Sequence, residues 1–447
     1  MLMSGPRVTI VIPVFNGANY LRAAIDSALA QDYPELEVLV VNDGSTDAGA
    51  TEAIALSYGE RIRTITKPNG GVASALNAGI AAMSGEIFCW LSHDDRHLPQ
   101  KTSHQVAEWL RLGRPDAVLF SDYREIDAQS LVLGEMRYDH AMLEAKPLYA
   151  VLRGSIHGCA AFVPHRLFDS FGTFDEALPT TQDYDLWHRL IRAGVPFLHL
   201  PEVLIESRTH AAQGSRAPGH REEARALWRR MVTATPLDER VRLEGSSYRY
   251  LIAASRYLAA CGLHEAASDI ATEAEVALAS TTVSLIVVGE PRADRTASLA
   301  AAATRQTHPC IEVVVVEAAD AEAGPLPPGV RRVQAEGRDP LAAGCAAAQG
   351  DWLALVPSGA LPLPGRVARQ LRAAEEAGAR ACHTAHWRRE PSGSLARVTA
   401  AATLETALVA RGALLGIGDV AALCHDLSSR GETTLLDEAL VVLRDPA

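Results

Sequence analysis

The sequence predicts an α/β protein built on a mostly parallel sheet with helices on both faces, followed by a helical stretch and a second, shortened copy of the same domain. Three observations carry this expectation. Strand-like and helix-like segments alternate through the first half. The polar clusters NDGSTD and SHDD each come directly after a strand-like run. From Thr282 onward the pattern of the first hundred residues recurs in two blocks, each at constant register.

The elements follow in order. VTIVIPVF is a short β-rich run, and NYLRAAIDSALAQ places Leu21, Ile25, Ala28 and Leu29 at helical spacing, with Pro34 helping to end the helix. ELEVLVVND (strand), DAGATEAIALSYG (helix), RIRTITK (strand), VASALNAGIAAMSG (helix) and EIFCWL (strand) come next. Such a succession implies right-handed crossovers and a mostly parallel sheet. Sheets of this kind bind ligands outside the carboxyl ends of their strands, which is where NDGSTD and SHDD fall. Beyond position 215 the texture turns Ala-, Leu- and Arg-rich. YLIAASRYLAACGLHEAASDIATEAEVAL reads as an antiparallel helix pair with a turn at Gly262.

The recurrence comes in two blocks, each gapless within itself. Val8, Gln31, Pro34 and Glu37 fall on Val283, Gln306, Pro309 and Glu312, and Leu76, Gly79, Gly85 and Pro99 fall on Leu341, Gly344, Gly350 and Pro364. DEALVVLRD, near the end, resembles PEVLIESRTH. Matching Gln, Pro, Glu and Gly at a constant register within each block marks an internal repeat rather than two similar compositions. The expected organisation is a first domain over 1–215, a helical linker over 216–280 and the second copy over 281–447.

With 447 residues the chain is too long for one ordinary core. It is 48% hydrophobic and 21% charged, as soluble globular proteins are. A net charge of −12 argues against general nucleic-acid binding. Seven cysteines without a CxxC pair fit reduced thiols better than a disulfide framework or a zinc site. MLMSGPRVTIVIPVF reads as a first strand rather than a secretory leader, and no apolar run suggests a membrane span. The expected location is cytoplasmic, with room for peripheral contact at the inner face of the membrane.

TIVIPVFN, VVNDGSTD, GGVASALNAGI, the strand plus SHDD, and TTQDYDLWHRLIRAG occur in this order over roughly residues 7–215. Together they resemble the family 2 glycosyltransferases, inverting enzymes of the GT-A fold that use nucleotide-diphosphate sugars. The variant TTQDYDLW, with HGCAAFVP upstream and RTHAAQGS downstream, looks like a bacterial subgroup of cell-surface polysaccharide synthesis. Sugar transfer needs the leaving diphosphate neutralised, the nucleoside held and the acceptor hydroxyl deprotonated. A hard divalent cation, Mn²⁺ or Mg²⁺, meets the first need and is held by one or two carboxylates plus phosphate oxygens.

The resemblance implies that Asp95 ligates the metal and that Asp94 contacts ribose or metal, with Ser92 standing where the family often has a further acid. It implies that Asp43 accepts the imide hydrogen of uracil, near Pro13, Phe15, Lys67 and Asn77. Asn77 has the alternative of fixing loop backbone, and Asp47 reads better as a helix cap. Asp183 aligns with the general base, Gln182 replacing the usual Glu, and Asp185 is the alternative base. Trp187 is packing or an acceptor-stacking ring. His210 is expected against the metal or diphosphate, with Gln213 on the same loop. His157, beside Cys159, lines the acceptor site or the core. The implied partners are a UDP-sugar and a saccharide or lipid-linked acceptor, with a homodimer as a further expectation.

In the second copy Asp43, Asp94 and Asp95 fall on Ala318, Gly359 and Ala360, and Asp183 is opposed by Val420. The apolar framework persists without the acids, so this copy is expected to be non-catalytic. A nucleotide-sugar-binding or scaffold protein is the rival reading. A nucleotidyltransferase is a weaker one, since PVFNGAN lacks a basic Gly-rich phosphate loop.

Overall fold

A computed structural model of the protein describes residues 5–211, 213, 219–389, 394–398, 406–414 and 426–443. Val420 lies outside them. The chain divides into two compact units, residues 1–234 with 257–266, and residues 235–256 with 267–447. The helical stretch 216–280 is shared between them. The helix His220–Thr233 counts with the first unit and Leu237–Glu244 with the second, while Ser247–Ala260 and His264–Ser280 are divided.

Among the described residues the first unit holds nine strands: β1 Val8–Val14, β2 Leu36–Asn42, β3 Arg63–Thr66, β4 Ile87–Trp90, β5 Arg96–His97, β6 Val118–Ile126, β7 Val132–Met136, β8 Phe162–Pro164 and β9 Phe197–Arg208. Their order is β3-β2-β1-β4-β8-β6-β9-β5, with β7 paired to β6. The β3-β2-β1-β4 half is parallel, and β8 enters antiparallel to β4. Every residue of β1 is buried, as a strand covered on both faces must be, and every residue except Pro13 is β-branched. The helix Gly71–Ala82 lies close on β1, where a Cβ at Gly79 would come within 2.3 Å of Val11. Because β1 is flanked by β2 on one side and β4 on the other, the connections diverge there and leave a cleft at the carboxyl ends.

The second unit repeats this plan strand for strand. Its strands are β10 Val283–Val288, β11 Ile311–Glu317, β12 Arg331–Gln334, β13 Trp352–Val356, β14 Ala360–Pro362, β15 Ala381–Arg389, β16 Leu395–Val398, β17 Leu408–Ala410 and β18 Thr433–Leu443. The order is β12-β11-β10-β13-β17-β15-β18-β14, with β16 on β15. The recurring residues have the same structural tasks in both copies. Glu37 accepts from Thr9 Oγ1 at 2.6 Å, from the Ser84 amide at 2.8 Å and from Arg63. Glu312 accepts from Ser284, from the Gln349 amide at 2.8 Å and from Arg331 at 2.6 Å. Gln31 donates to the Leu98 carbonyl at 2.8 Å and Gln306 to that of Leu363 at 2.9 Å. Among the described residues no helix is long and apolar enough to cross a membrane.

Candidate active site

A cavity of about 620 Å³ opens in the first unit at the carboxyl ends of β1, β2 and β4. Pro13 and Phe15 line it at the end of β1, and Phe15 keeps 43% of its surface exposed. Asp43 follows β2 and is buried at the cavity wall. Its carboxylate accepts from Lys67 Nζ at 2.7 Å, the Gly71 amide at 2.8 Å and the Gly70 amide at 3.1 Å. Gly71 sits at φ +86°, a conformation that side-chain-bearing residues rarely adopt, and this turns its N–H onto Asp43.

The tight SHDD turn follows β4, with Asp94 and Asp95 only 9% and 4% exposed. Asp95 Oδ1 accepts the Arg208 amide at 2.7 Å, and Oδ2 takes the Cys159 thiol at 3.2 Å. Burial, with the Asp94 charge adding to it, pushes the Asp95 carboxyl well above its ordinary value. Asp94 Oδ2 lies 2.8 Å from His210 Nε2. Arg208 ends β9, and its buried guanidinium donates to the Asp94 carbonyl at 2.8 Å while lying 4.6 Å over the Tyr20 ring.

Donor atoms of Asp95, His157 and Cys159 gather within 4.8 Å of one another. The hydrogen bonds decide what that group can do. His157 Nδ1 accepts from the Cys159 amide at 3.2 Å, which assigns the proton to Nε2, and Nε2 then donates to Ser207 Oγ at 3.0 Å. Burial pushes the imidazole down to about 4, and it pushes the Cys159 thiol well up. A neutral histidine with its lone pair turned away and a protonated thiol make a poor soft-metal site. Two adjacent buried carboxylates that repel each other fit a hard, oxygen-seeking cation.

Across the cavity, Asp183 occupies the first turn of the helix Gln182–Arg192. Burial raises its pKa to about 6; backbone amides oppose the rise and the Glu223 charge adds to it. Glu223, on the helix His220–Thr233, accepts the amides of Thr180 and Thr181 at 3.0 and 2.8 Å and both their hydroxyls at 2.8 Å. The turn that delivers Asp183 is thus tied down by one carboxylate from another helix. Gln182, 3% exposed and lining the cavity, leaves its Oε1 without a hydrogen-bond partner among the described residues.

The structure thus brings Pro13, Phe15, Asp43, Asp94, Asp95, His157, Asp183 and Gln213 to one cavity, with Lys67 and His210 held against its acids. Asn77 and Asp185 need correction as site residues, and of the two roles open to Trp187 the packing one holds. Asn77 does not line it: its amide donates to the Phe174 carbonyl at 2.9 Å and accepts the Phe174 amide at 3.0 Å, so it fixes loop backbone. Asp185 is no alternative base, because Arg189 at 2.8 Å and Arg230 occupy its two oxygens. Trp187 is fully buried edge-on to Phe174 and Phe197, which makes it packing rather than an acceptor platform. Arg208 and Glu223 escaped sequence reasoning. Arg208 had one signal, its place two residues before His210; Glu223, in the unremarkable stretch HREEARALW, had none.

Residues 9–163 match the model of the family described as "Glycosyl transferase family 2". A Rickettsia bellii protein named "Uncharacterized glycosyltransferase" is 42% identical over 316 residues, 70% of this chain and 46% of that protein. A Rickettsia typhi protein named in the same way is 46% identical over 252 residues, 55% of this chain and 78% of that one. The chain spans about half the length of the first of these curated relatives. The solved structure of S. aureus TarS 1–349 in complex with UDP-GlcNAc overlays 60% of this chain and 90% of its own at 16% identity, with a TM-score of 0.41.

Proposed function

The chain belongs to glycosyl transferase family 2, and from that membership we propose that it transfers a sugar, with inversion, from a nucleoside diphosphate to an acceptor hydroxyl. One observation carries the reading: Asp43, Asp94, Asp95 and Asp183 open onto a single cavity at the carboxyl ends of the strands. Asp43, fixed by Lys67 and two glycine amides, is placed to accept the imide hydrogen of uracil, which favours a UDP-sugar. Asp94 and Asp95 would hold a Mn²⁺ or Mg²⁺ ion, which when bound supplies Lewis-acid neutralisation of the diphosphate. His210 and Arg208 keep the acidic turn in position from β9 and the residues after it. Gln182 Oε1 is free to take a sugar hydroxyl.

Asp183 takes the proton of the acceptor hydroxyl as that oxygen attacks the anomeric carbon. The new carbon–oxygen bond forms on the face opposite the bond to phosphate, whose electron pair leaves on the diphosphate. With its pKa near 6, Asp183 is ionised at neutral pH yet more basic than an ordinary aspartate. The acceptor is a saccharide or lipid-linked saccharide of a cell-surface polysaccharide, handled at the cytoplasmic side, and the second unit takes no donor.

The test is turnover and binding across UDP-, GDP- and dTDP-sugars with Mn²⁺, Mg²⁺ or chelator. Asp183→Asn is expected to lower kcat by about 10²–10⁴-fold with donor Kd little changed. Asp95→Ala is expected to abolish metal-dependent donor binding. Undiminished turnover in Asp183→Asn, or donor binding indifferent to chelator, would overturn the proposal.

A further inference from the structure

A second cavity of about 490 Å³ lies in the same unit, within the range of small-molecule sites, about 300–1,000 Å³. Thr180, Asp183 and Tyr184 line both cavities, so the proposed base stands where they meet. Apart from Gly154, the remaining walls come from residues beyond the matched segment 9–163. They include Trp228 on the helix His220–Thr233, and Tyr257 and Cys261 where Ser247–Ala260 ends.

The walls have a distinct chemistry. The rings of Tyr184 and Trp228 meet at 4.9 Å between centroids and 49° between planes. Trp228 already donates its indole N–H to the Leu152 carbonyl at 3.1 Å, which leaves apolar ring surface for the cavity. Gly154, at φ +60°, is where two phenol hydroxyls converge. A Cβ there would lie 3.0 Å from the Tyr257 oxygen and 3.5 Å from that of Tyr184. Arg221 adds a cation to the lining. Ring faces edged by hydroxyls and a guanidinium suit a sugar, whose C–H face packs on aromatic carbon while its hydroxyls need donors and acceptors. A lipid tail would leave those polar groups unpaired.

We infer that this second cavity is the acceptor site and that it takes the terminal sugar of a saccharide, held on the Tyr184–Trp228–Tyr257 wall with its reacting hydroxyl at Asp183. The inference rests on the reading of the larger cavity as the donor site. It makes Trp228 and Tyr257 acceptor-positioning residues supplied by the helices that follow β9.

Cys261 provides a probe that needs no mutation of the wall, since its thiol is exposed and lines the cavity. The full chain is labelled with biotin-maleimide in the presence of p-nitrophenyl glycosides or of a UDP-sugar with Mn²⁺, and modification at Cys261 is followed by peptide mass, with Cys261→Ser as background. Glycosides are expected to slow labelling while the UDP-sugar alone does not. Trp228→Ala and Tyr257→Ala are expected to raise the acceptor KM about tenfold and leave donor Kd within about twofold. Protection by the UDP-sugar alone, or no protection by any glycoside together with an unchanged acceptor KM in Trp228→Ala, overturns the inference while the donor reading stands. If the wild-type chain binds no nucleotide sugar, the donor reading falls and this inference falls with it.

Discussion

Asp183 is held by opposing influences at the residue scale. Burial disfavours its charge, the amides of the helix start favour it, and Glu223 disfavours it again, leaving the pKa near 6. A base works when deprotonated, so kcat/KM should fall about tenfold per pH unit below 6 and level off above 7. Glu223→Gln removes a negative charge, which should move that inflection to lower pH as well as loosen the turn. A merely structural role for Glu223 would lower the rate without moving the inflection. The same shift bears on folding. An acid whose folded pKa is raised costs stability once pH exceeds its unfolded value, in full above about 6. Asp183→Asn should therefore keep or raise Tm at neutral pH, so that lost turnover is not mistaken for unfolding.

At the scale of elements, Glu37 ties three adjacent strands and a helix end together. It stands on β2, takes the hydroxyl of Thr9 on β1 and the guanidinium of Arg63 on β3, and accepts the amide and hydroxyl of Ser84 after the helix Gly71–Ala82. Burial alone would raise its pKa, but the bonds from Thr9, Ser84 and Arg63 outweigh burial and hold it at about 2. A depressed carboxylate stabilises the fold above its unfolded pKa, and the benefit is lost as pH falls through the folded one. Glu37→Ala should cost about 2–4 kcal/mol at pH 7 by urea denaturation, because it strands buried donors. The gap between wild type and variant should shrink between pH 4.5 and 2. An unchanged midpoint would contradict this account of the network. Glu312 repeats the arrangement on β11 and is likewise held low against burial by Ser284, Gln349 and Arg331.

For the whole molecule, two sheets of identical strand order carry different carboxyl ends. Beyond β2 and β4 the acids open to a cavity. At the end of β11, Glu317 is buried and paired with Arg332 at 3.4 Å, and after β10 Glu290 is paired with Arg295 at 3.3 Å. Ala318, Gly359 and Ala360 stand where Asp43, Asp94 and Asp95 stand in the first copy. Calorimetry with a UDP-sugar and Mn²⁺ should give one site per chain, falling to none in Asp95→Ala. Two sites would show that the second copy still binds a donor.

The sequence by itself determined the alternation of strands and helices, the repeat and the positions of the acids after strands. Those signals are local, since side-chain period and β-branched runs are read within a few residues, and two internally gapless blocks, offset differently, keep Glu37 on Glu312 and Gly79 on Gly344. Only the tertiary structure decided which acids face the chemistry. Asp183 and Asp185 are two residues apart, which on a helix is roughly 200° of rotation. One meets the cavity and the other meets Arg189 and Arg230. Asn77 and Trp187 left the candidate list for the same reason, their partners being a distant loop and a buried ring cluster. Glu223 lies some forty residues from the turn it fastens, and Arg208 over a hundred from Asp95. Hydrogen bonds and burial depend on which distant segments pack together, and no local pattern records that.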